Sequence, residues 1–505
     1  MQPIISDHQV TDHGAHGVSG HRVPQVVVSG TAKRTPVRKP ARSPQDAVPC
    51  DRLQPILTVD HEARLSGIDS GLRGIIKKQL TLDNPKYRDA RKFGRFIGKN
   101  LPPKLYFFRE TPDFIAFPRG WANQAVRLCR RELDQDPQII DQRRLCEPES
   151  FTFQGELRPY QQQALEAILA RDFGVLEAGT GSGKTVVACA LFAARNQPTI
   201  ILVHTKELLY QWAERVEQFL GIKAGLLGDG HRRIKPLTVA IVNSARRRIR
   251  ELPTLFGQLC VDECHRVPSS LFTEVVTAFD CRYMLGLSAT AYRRDGLTQL
   301  IGFYLGERVH RIDIGDLQRS GAILKARLIQ RPTGFRYVYR SNYQALMKAL
   351  TADKNRNRLI AEDIAREAKA LEQDHDGDEP GTILVVSDRV RHCWNLADLL
   401  ADVDIPCRVL TGATPADQRA ELVEAIREGR VRVLISTVQL IGEGFDCPGL
   451  RSLFLTTPIK FTGRLLQVVG RILRPAAGKQ PRVYDYVDPV GVLQRSAQSR
   501  ALALQ

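Results

Sequence analysis

The sequence predicts an α/β protein: two tandem lobes, each a parallel sheet covered by helices on both faces, preceded by a small accessory domain and a flexible arm. Three observations carry this prediction. Short apolar runs alternate with helical stretches from about residue 151 onward. The rhythm breaks near 305–325 and then resumes, which divides the alternation into two lobes. A glycine-rich loop also stands directly between the first apolar run and the helix that follows it.

Residues 1–50 contain no Phe, Trp or Tyr but six prolines and four histidines, with a basic patch at Lys33, Arg34, Arg38, Lys39 and Arg42. Such a segment cannot bury a core and is expected to be a flexible arm. His8, His13, His16 and His21 are irregularly spaced and have no cysteine or carboxylate cluster beside them, so no ligand role is assigned to them.

Residues 51–150 turn globular. Between Lys77 and Lys104 nine Lys/Arg face two acids, Asp83 and Asp89, with Tyr87, Phe93 and Phe96 interleaved and Tyr106, Phe107 and Phe108 just beyond. Two readings stay open: phosphate contacts with base stacking, or an aromatic core beneath a solvated charged face. The domain is therefore a basic accessory domain with possible DNA binding.

The first lobe is expected over 151–318. It contains FGVLEA followed by a helix from Lys184, TIILVH followed by a helix from Lys206, and then LTVAIV, QLCVDE and YMLGLSAT. The second lobe, 319–490, contains GTILVVSD, PCRVLTG, VRVLISTV, SLFLTT and RVYDYVD, with helices between most of them. The acidic EQDHDGDEPG (372–381) reads as a surface loop, and 491–505 as a solvated helix or tail.

Composition narrows the function. With 43% hydrophobic and 25% charged residues, most of the chain is ordinary globular protein. No apolar run is long enough to span a bilayer and the N-terminus lacks the pattern of a secretory signal, so a cytoplasmic, nucleoid-associated protein is expected. Ten cysteines form no C-x-x-C pair, which points to reduced thiols and no structural zinc. The 73 Lys+Arg against 55 Asp+Glu give +18, a balance that attracts polyanions.

The strongest chemical signal is EAGTGSGKT at 177–185, in the form A-x-x-x-x-G-K-T with Ala178 first. The backbone N–H groups of Gly179, Thr180, Gly181, Ser182 and Gly183 suit a triphosphate, Lys184 its β- and γ-phosphates, and Thr185 a Mg²⁺ ion. LCVDECH (259–265) ends another apolar strand, where Asp262 is placed to hold Mg²⁺ and Glu263 to orient and deprotonate water. Cys260, Cys264 and His265 lack a fourth ligand for zinc.

Phosphate loop, strand-end D-E-x-H and two α/β lobes together resemble superfamily 2 helicases and translocases over roughly 155–490. The resemblance implies RecA-like lobes, ATP and Mg²⁺ as cofactors, and nucleic acid as partner. LRPYQ (157–161) is similar to the family's adenine-reading segment, implying nucleotide contacts by Arg158 and Gln161. VHTKELLYQW and AIVNSA imply strand contacts by Thr205, Lys206, Asn243 and Ser244, and the second lobe adds Ser387, Thr411, Gly412 and Thr437. SAT implies coupling of hydrolysis to lobe movement through Ser288, Ala289 and Thr290, with His265. STVQLIGEGFD implies nucleotide contacts by Gly444 and Asp446, and QVVGRILR implies catalytic Gln467, Arg471 and Arg474. The two arginines lie three apart on one helical face, as a finger aimed at the γ-phosphate requires.

SATAYRRDGL with LIGFYLGERVH is similar to the branch of XPB-type helicases, phage UvsW-type helicases and restriction-enzyme motor subunits. Ala291 and Arg293-Arg294-Asp295 depart from that branch's pattern after SAT. The expected activity is ATP-dependent DNA unwinding or duplex translocation in repair, recombination or defence. The alternatives are a motor subunit needing a separate nuclease, an RNA helicase, or a nucleotide-gated clamp. No nuclease signature accompanies the motifs.

Overall fold

The computed structural model describes residues 54–92, 94, 96–98, 101–266, 270–289, 297–373, 381–442, 449–459 and 465–504, except 466, 467, 471, 474 and 476–478. The accessory domain contributes β1 (Ile56–Val59), β2 (Glu62–Ser66), β3 (Thr81–Asp83), β4 (Lys104–Tyr106), β5 (Arg109–Glu110), β6 (Phe114–Pro118) and β7 (Gln138–Asp141). Five of them form a sheet ordered β5-β6-β2-β1-β7. Alternating Leu57, Val59, Ala63 and Leu65 face a core closed by Leu72, Ile76, Ala125 and Leu128 from two helices.

That core does not stop at the domain boundary. Leu300 and Phe303, from the first-lobe helix Gln299–Leu305, belong to it. Close approach is possible because Gly120 has no side chain: a Cβ there would lie 2.5 Å from the backbone nitrogen of Gly306 and 2.7 Å from the carbonyl oxygens of Gly302 and Phe303. Arg119, buried at the same turn, donates to the carbonyl of Cys281 at 2.7 Å, and Arg143 bonds Asp172 at 2.7 Å. The accessory domain is thereby joined to the first lobe by both core and polar contacts. The basic-aromatic stretch divides in two: Phe107 packs on Phe303 with ring centroids 5.6 Å apart, whereas Phe96 is 94% and Tyr106 64% exposed.

The first lobe holds β8 (Phe173–Ala178), β9 (Thr199–Val203), β10 (Gly225–Gly228), β11 (His231–Arg233), β12 (Leu237–Ile241), β13 (Gln258–Val261), β14 (Tyr283–Ser288) and β15 (Arg308–Ile312). They run in the order β11-β10-β12-β9-β13-β14-β8-β15, parallel except for the β10–β11 hairpin. The strands are continuous apolar runs because both faces are covered. Val187, Leu191, Leu209, Trp212 and Val216 cover one face and Phe272, Val275, Ile301 and Leu305 the other.

The second lobe holds β16 (Arg327–Pro332), β17 (Thr382–Ser387), β18 (Cys407–Leu410), β19 (Val433–Thr437), β20 (Leu450–Leu455) and β21 (Arg482–Val487). All are parallel, in the order β16-β21-β20-β17-β19-β18. Both lobes are therefore RecA-like sheets, as the alternation of runs predicts. Among the described residues, no helix is long and apolar enough to cross a membrane.

The segment expected to be a solvated tail is the helix Gly491–Leu504, and one of its faces is not solvated. Leu493, Ala497 and Arg500 are buried. The Arg500 guanidinium donates through Nε to Asp485 Oδ1 at 2.9 Å and through Nη1 to Ser496 Oγ at 2.9 Å. Burial raises the Asp485 carboxyl above its ordinary value even with the arginine beside it. Removing one member of a buried pair leaves the other uncompensated, so Arg500→Ala is expected to destabilise the protein by about 3–5 kcal/mol. Because the folded carboxyl then titrates above its unfolded value, ionising it opposes folding. The deficit seen in urea unfolding should accordingly be largest at neutral and alkaline pH and shrink in mild acid.

Candidate nucleotide site and strand-facing surface

A parallel sheet delivers all its strand ends to one edge, and the first-lobe chemistry collects there. In strand order, the residues after β13 come next to those after β14, which adjoin the loop after β8. That loop turns through left-handed backbone at Gly181 (φ +87°) and Gly183 (φ +75°) before the helix Lys184–Arg195 begins. Ser182, fully buried, closes the turn by donating from Oγ to the carbonyl of Gly179 at 2.7 Å. Lys184 curls back, and its Nζ donates to the carbonyl of Ala178 at 2.9 Å. Gly179, Thr180 and Thr185 are half-buried around the same cradle.

Gln161 braces the loop from behind. Its Nε2 donates to the carbonyl of Ser182 at 3.0 Å, and its Oε1 accepts from the backbone N–H of Arg158 at 2.9 Å. Arg158 and Gln161 are thus brought to the loop, with the glutamine amide held by protein groups at both ends. A Cβ on Gly183 would sit 2.3 Å from that Nε2, so a side chain there would displace the Gln161 amide as well as strain the backbone.

Two acids follow β13. Asp262 accepts from Trp212 Nε1 at 2.8 Å and from the backbone N–H of Glu263 at 2.9 Å. Glu263 stands in left-handed backbone, φ +49°, which a residue with a side chain adopts at a cost of about 1–2 kcal/mol. The turn redirects its carboxylate to His265, whose Nδ1 lies 3.2 Å from Oε2. The same Nδ1 lies 3.2 Å from Ser288 Oγ, so a polar chain runs from Glu263 to the end of β14, where Ala289 is buried. Thr290 lies outside the described residues.

Electrostatics separate the two carboxyls. Burial, and then the negative charge of Glu263, push Asp262 up to about 6, against the indole hydrogen bond and the charge of Lys184. Burial also opposes ionisation of Glu263, but the hydrogen bond from His265 and the charges of Lys184 and His265 outweigh it and hold Glu263 at about 2. Lys184, Asp262 and Glu263 therefore form one electrostatic site. A lysine, a raised buried carboxyl and a hydroxyl-bearing Thr185 beside a glycine cradle fit a phosphate chain with a divalent cation. Trp212 escaped the sequence reading. Its signal was available, since it lies seven residues after Thr205 and falls on the buried face of the helix Lys206–Leu220.

The second lobe reaches the same loop. Gly470 lies in a helical turn, and a Cβ there would meet Thr180 Cβ at 2.6 Å. Leu473 accepts a backbone hydrogen bond from Leu324 at 2.7 Å and packs against the cores of both lobes. Gln467, Arg471, Arg474, Gly444 and Asp446 lie outside the described residues.

The expected strand-facing residues divide. Thr205 caps the helix Lys206–Leu220, accepting from Leu208 N–H at 3.3 Å, and leaves Lys206 exposed. Exposed Asn243 and half-buried Ser244 follow β12, the neighbour of β9, so these four share one edge of the sheet. In the second lobe Gly412 is exposed and Thr437 half-buried at the ends of β18 and β19. Thr411 is 6% exposed and forms a turn with Thr414. Ser387 is corrected: it is fully buried, 2.9 Å from His392 Nδ1, and accepts from the N–H of Arg389 at 3.1 Å. It fixes the turn after β17 and cannot touch a strand.

The fit between Gly470 and Thr180 generates a test. Gly470→Ala should lower ATP turnover at least tenfold by wedging the lobes apart, and adding Thr180→Gly should restore part of it; turnover unaffected by Gly470→Ala would show that the contact is not used. Comparison with known proteins accords with the geometry. Residues 154–293 match the family model described as type III restriction enzyme, res subunit, and 366–476 match the helicase conserved C-terminal domain. The chain is 27% identical to the DNA 3'-5' translocase XPB2 of Sulfurisphaera tokodaii over 75% of its own length and 92% of that protein. It is also 27% identical to the DNA 3'-5' helicase XPB of Kineococcus radiotolerans, over 63% of its length and 57% of that protein. A solved fragment described as the HsdR subunit of a type I restriction enzyme from Vibrio vulnificus shares the fold, at TM-score 0.52 and 19% identity over 69% of this chain and 66% of that one. With both helicase domains in tandem around one phosphate loop, the chain belongs to superfamily 2, as an ATP-driven nucleic-acid helicase or translocase related to XPB-type enzymes and restriction motor subunits.

Proposed function

We propose that this motor acts on DNA and hydrolyses ATP with Mg²⁺ at the site around Lys184. The observation that carries the reading is the convergence of Lys184, Asp262 and Glu263 beside a loop that also touches the second lobe. Bound MgATP supplies the phosphoanhydride bond and neutralises charge on its own phosphates. The chain does the rest. Backbone N–H groups of 179–183 cradle the phosphates, and Lys184 exchanges the Ala178 carbonyl for a phosphate oxygen. Thr185 and Asp262 hold the cation, and Arg158 and Gln161 border the nucleotide.

Glu263, aimed by its left-handed turn and held by His265, positions water and accepts its proton. The negative triphosphate beside it raises its basicity from the low value of the free site. Arg471 and Arg474, with Gln467, bring positive charge from the second lobe; such a finger contributes on the order of 10³–10⁵ in rate. Gly444 and Asp446 complete the nucleotide contacts. Because His265 bridges Glu263 and Ser288, a change at the γ-phosphate is passed to 288–290 and on to lobe position.

Support for DNA comes from the +18 charge and from relatives named as DNA motors. Thr205, Lys206, Asn243 and Ser244 in the first lobe (151–318) and Gly412 and Thr437 in the second lobe (319–490) form the strand path. Exposed Phe96 and Tyr106, with Lys86, Arg88 and Arg91 exposed on the helix Pro85–Lys92, make the accessory domain a further DNA contact. The description of the first-lobe family model favours a second reading, a motor serving a separate nuclease in a defence complex. A cytoplasmic, nucleoid-associated site of action accords with either.

Steady-state ATP hydrolysis with single-stranded, duplex and forked DNA and with duplex RNA tests the proposal. DNA should stimulate the wild type more than RNA does, and Lys184→Ala and Glu263→Gln should each lose about 10³-fold or more of the stimulated rate. Stronger stimulation by RNA, or unchanged hydrolysis in both variants, would contradict it. Capture of a nuclease subunit by the tagged chain would favour the second reading.

A further inference from the structure

Asp262 is held at two points by one continuous stretch of chain. Its backbone N–H donates to the carbonyl of Leu202, near the end of β9, at 3.0 Å, and its Oδ2 accepts from Trp212 Nε1 at 2.8 Å. Between these attachments lie Thr205 and Lys206, the turn that enters the expected strand path. Thr205 caps the helix Lys206–Leu220, and Trp212 stands on the buried face of that helix, so the turn and the indole belong to one rigid element.

The indole is firmly seated. Trp212 is 2% exposed, and its ring lies against Phe192, with centroids 6.4 Å apart, on the helix Lys184–Arg195 that follows the phosphate loop. Leu209 and Val216 close the same core. An aromatic ring satisfies this packing; what the indole adds is one donor, and it goes to Asp262. The other carboxylate oxygen, Oδ1, accepts from the backbone N–H of Glu263 at 2.9 Å. Each oxygen thus has one fixed donor and keeps lone-pair capacity for a cation or its water, the arrangement by which surrounding hydrogen bonds orient a metal-holding carboxylate.

We propose that Trp212 is a positioning residue that carries strand binding at Thr205 and Lys206 to the cation-holding carboxylate of Asp262. The inference rests on the assignment of that turn to the strand and of Asp262 to the cation, and it adds the link between them. A phosphate backbone seated on the turn holds residues 202–212 still. The two attachments pass that restraint to Asp262, so its oxygens are aimed for the cation when a strand is in place. This path reaches the first acid, whereas the contacts of His265 with Glu263 and Ser288 reach the second.

The test compares the full chain with its Trp212→Phe variant, which keeps an aromatic ring against Phe192 and removes the donor. The ratio of DNA-stimulated to basal ATP turnover should fall about tenfold, and the Mg²⁺ concentration for half-maximal binding of a fluorescent non-hydrolysable ATP analogue should rise by a similar factor. Phe192→Leu, which loosens the same core and leaves the indole bond, should keep the wild-type ratio and Mg²⁺ requirement. A readout independent of turnover is the indole N–H resonance of Trp212 in nitrogen-labelled protein, assigned by its loss in Trp212→Phe. Single-stranded DNA added without nucleotide should shift it, and should shift it less in Lys206→Ala. A resonance that stays in place while DNA binds, or a Trp212→Phe ratio and Mg²⁺ requirement equal to the wild type's, would overturn the link while leaving the DNA motor intact. Loss of the ratio in Phe192→Leu to the same extent as in Trp212→Phe would likewise overturn it, by showing that packing and not the donor is at work. Wild-type hydrolysis that no DNA stimulates would overturn both readings.

Discussion

The loop at 179–183 is confined on three sides, and the remaining architecture depends on that confinement. Gln161 presses from behind at Gly183, Ile323 lies 3.1 Å from where a Cβ of Gly181 would stand, and the helical turn at Gly470 touches Thr180. Each contact sets a glycine against the side chain of its neighbour, Gln161, Ile323 or Thr180. Close-packed contacts of this kind have discrete arrangements and do not deform gradually. On the proposed reading a phosphate chain entering the cradle acts on both lobes, since the first supplies the loop and a turn of the second lies against it.

The acids depend on the same loop. Lys184 stabilises the charge of both Asp262 and Glu263, and it stands where it does because the helix starts at Gly183. Without it, burial would make both carboxyls harder to ionise. The imidazole of His265 then sets them apart by favouring the ionised Glu263, whose charge, after burial, raises Asp262 against the indole bond of Trp212. The left-handed turn at Glu263 is costly, and it keeps the two carboxylates from pointing the same way. The Nδ1 of His265, 3.2 Å from both Glu263 Oε2 and Ser288 Oγ, places this chemistry beside the strand lying between the acids and the loop.

Both sheets were legible in the sequence because parallel strands buried on two faces leave unbroken apolar runs, as in TIILVH and TILVVS. The phosphate loop was legible because its glycines stand between such a run and a helix. Other features depend on partners remote in sequence. Arg500 looks like a solvated charge until Asp485 is placed beside it, and Gly120 has no pattern that announces its contact with 302–306. Ser387 resembles Thr437, since each is a polar residue at a strand end. Only the fold shows that His392 and Arg389 close over the serine while the threonine stays open. The aromatics near 106 show the same limit, for Phe107 faces core and Tyr106 faces solvent one residue away.

The central claim is that occupancy of the loop sets the position of the second lobe. Its most direct test is the interlobe distance, read by fluorescence energy transfer between labels at exposed Lys223 in the first lobe and exposed Val403 in the second. The Glu263→Gln variant should shift to one shorter distance on binding ATP and stay there, while the wild type should return to its starting distance as ATP is consumed. A distance that stays constant through full turnover would contradict the account.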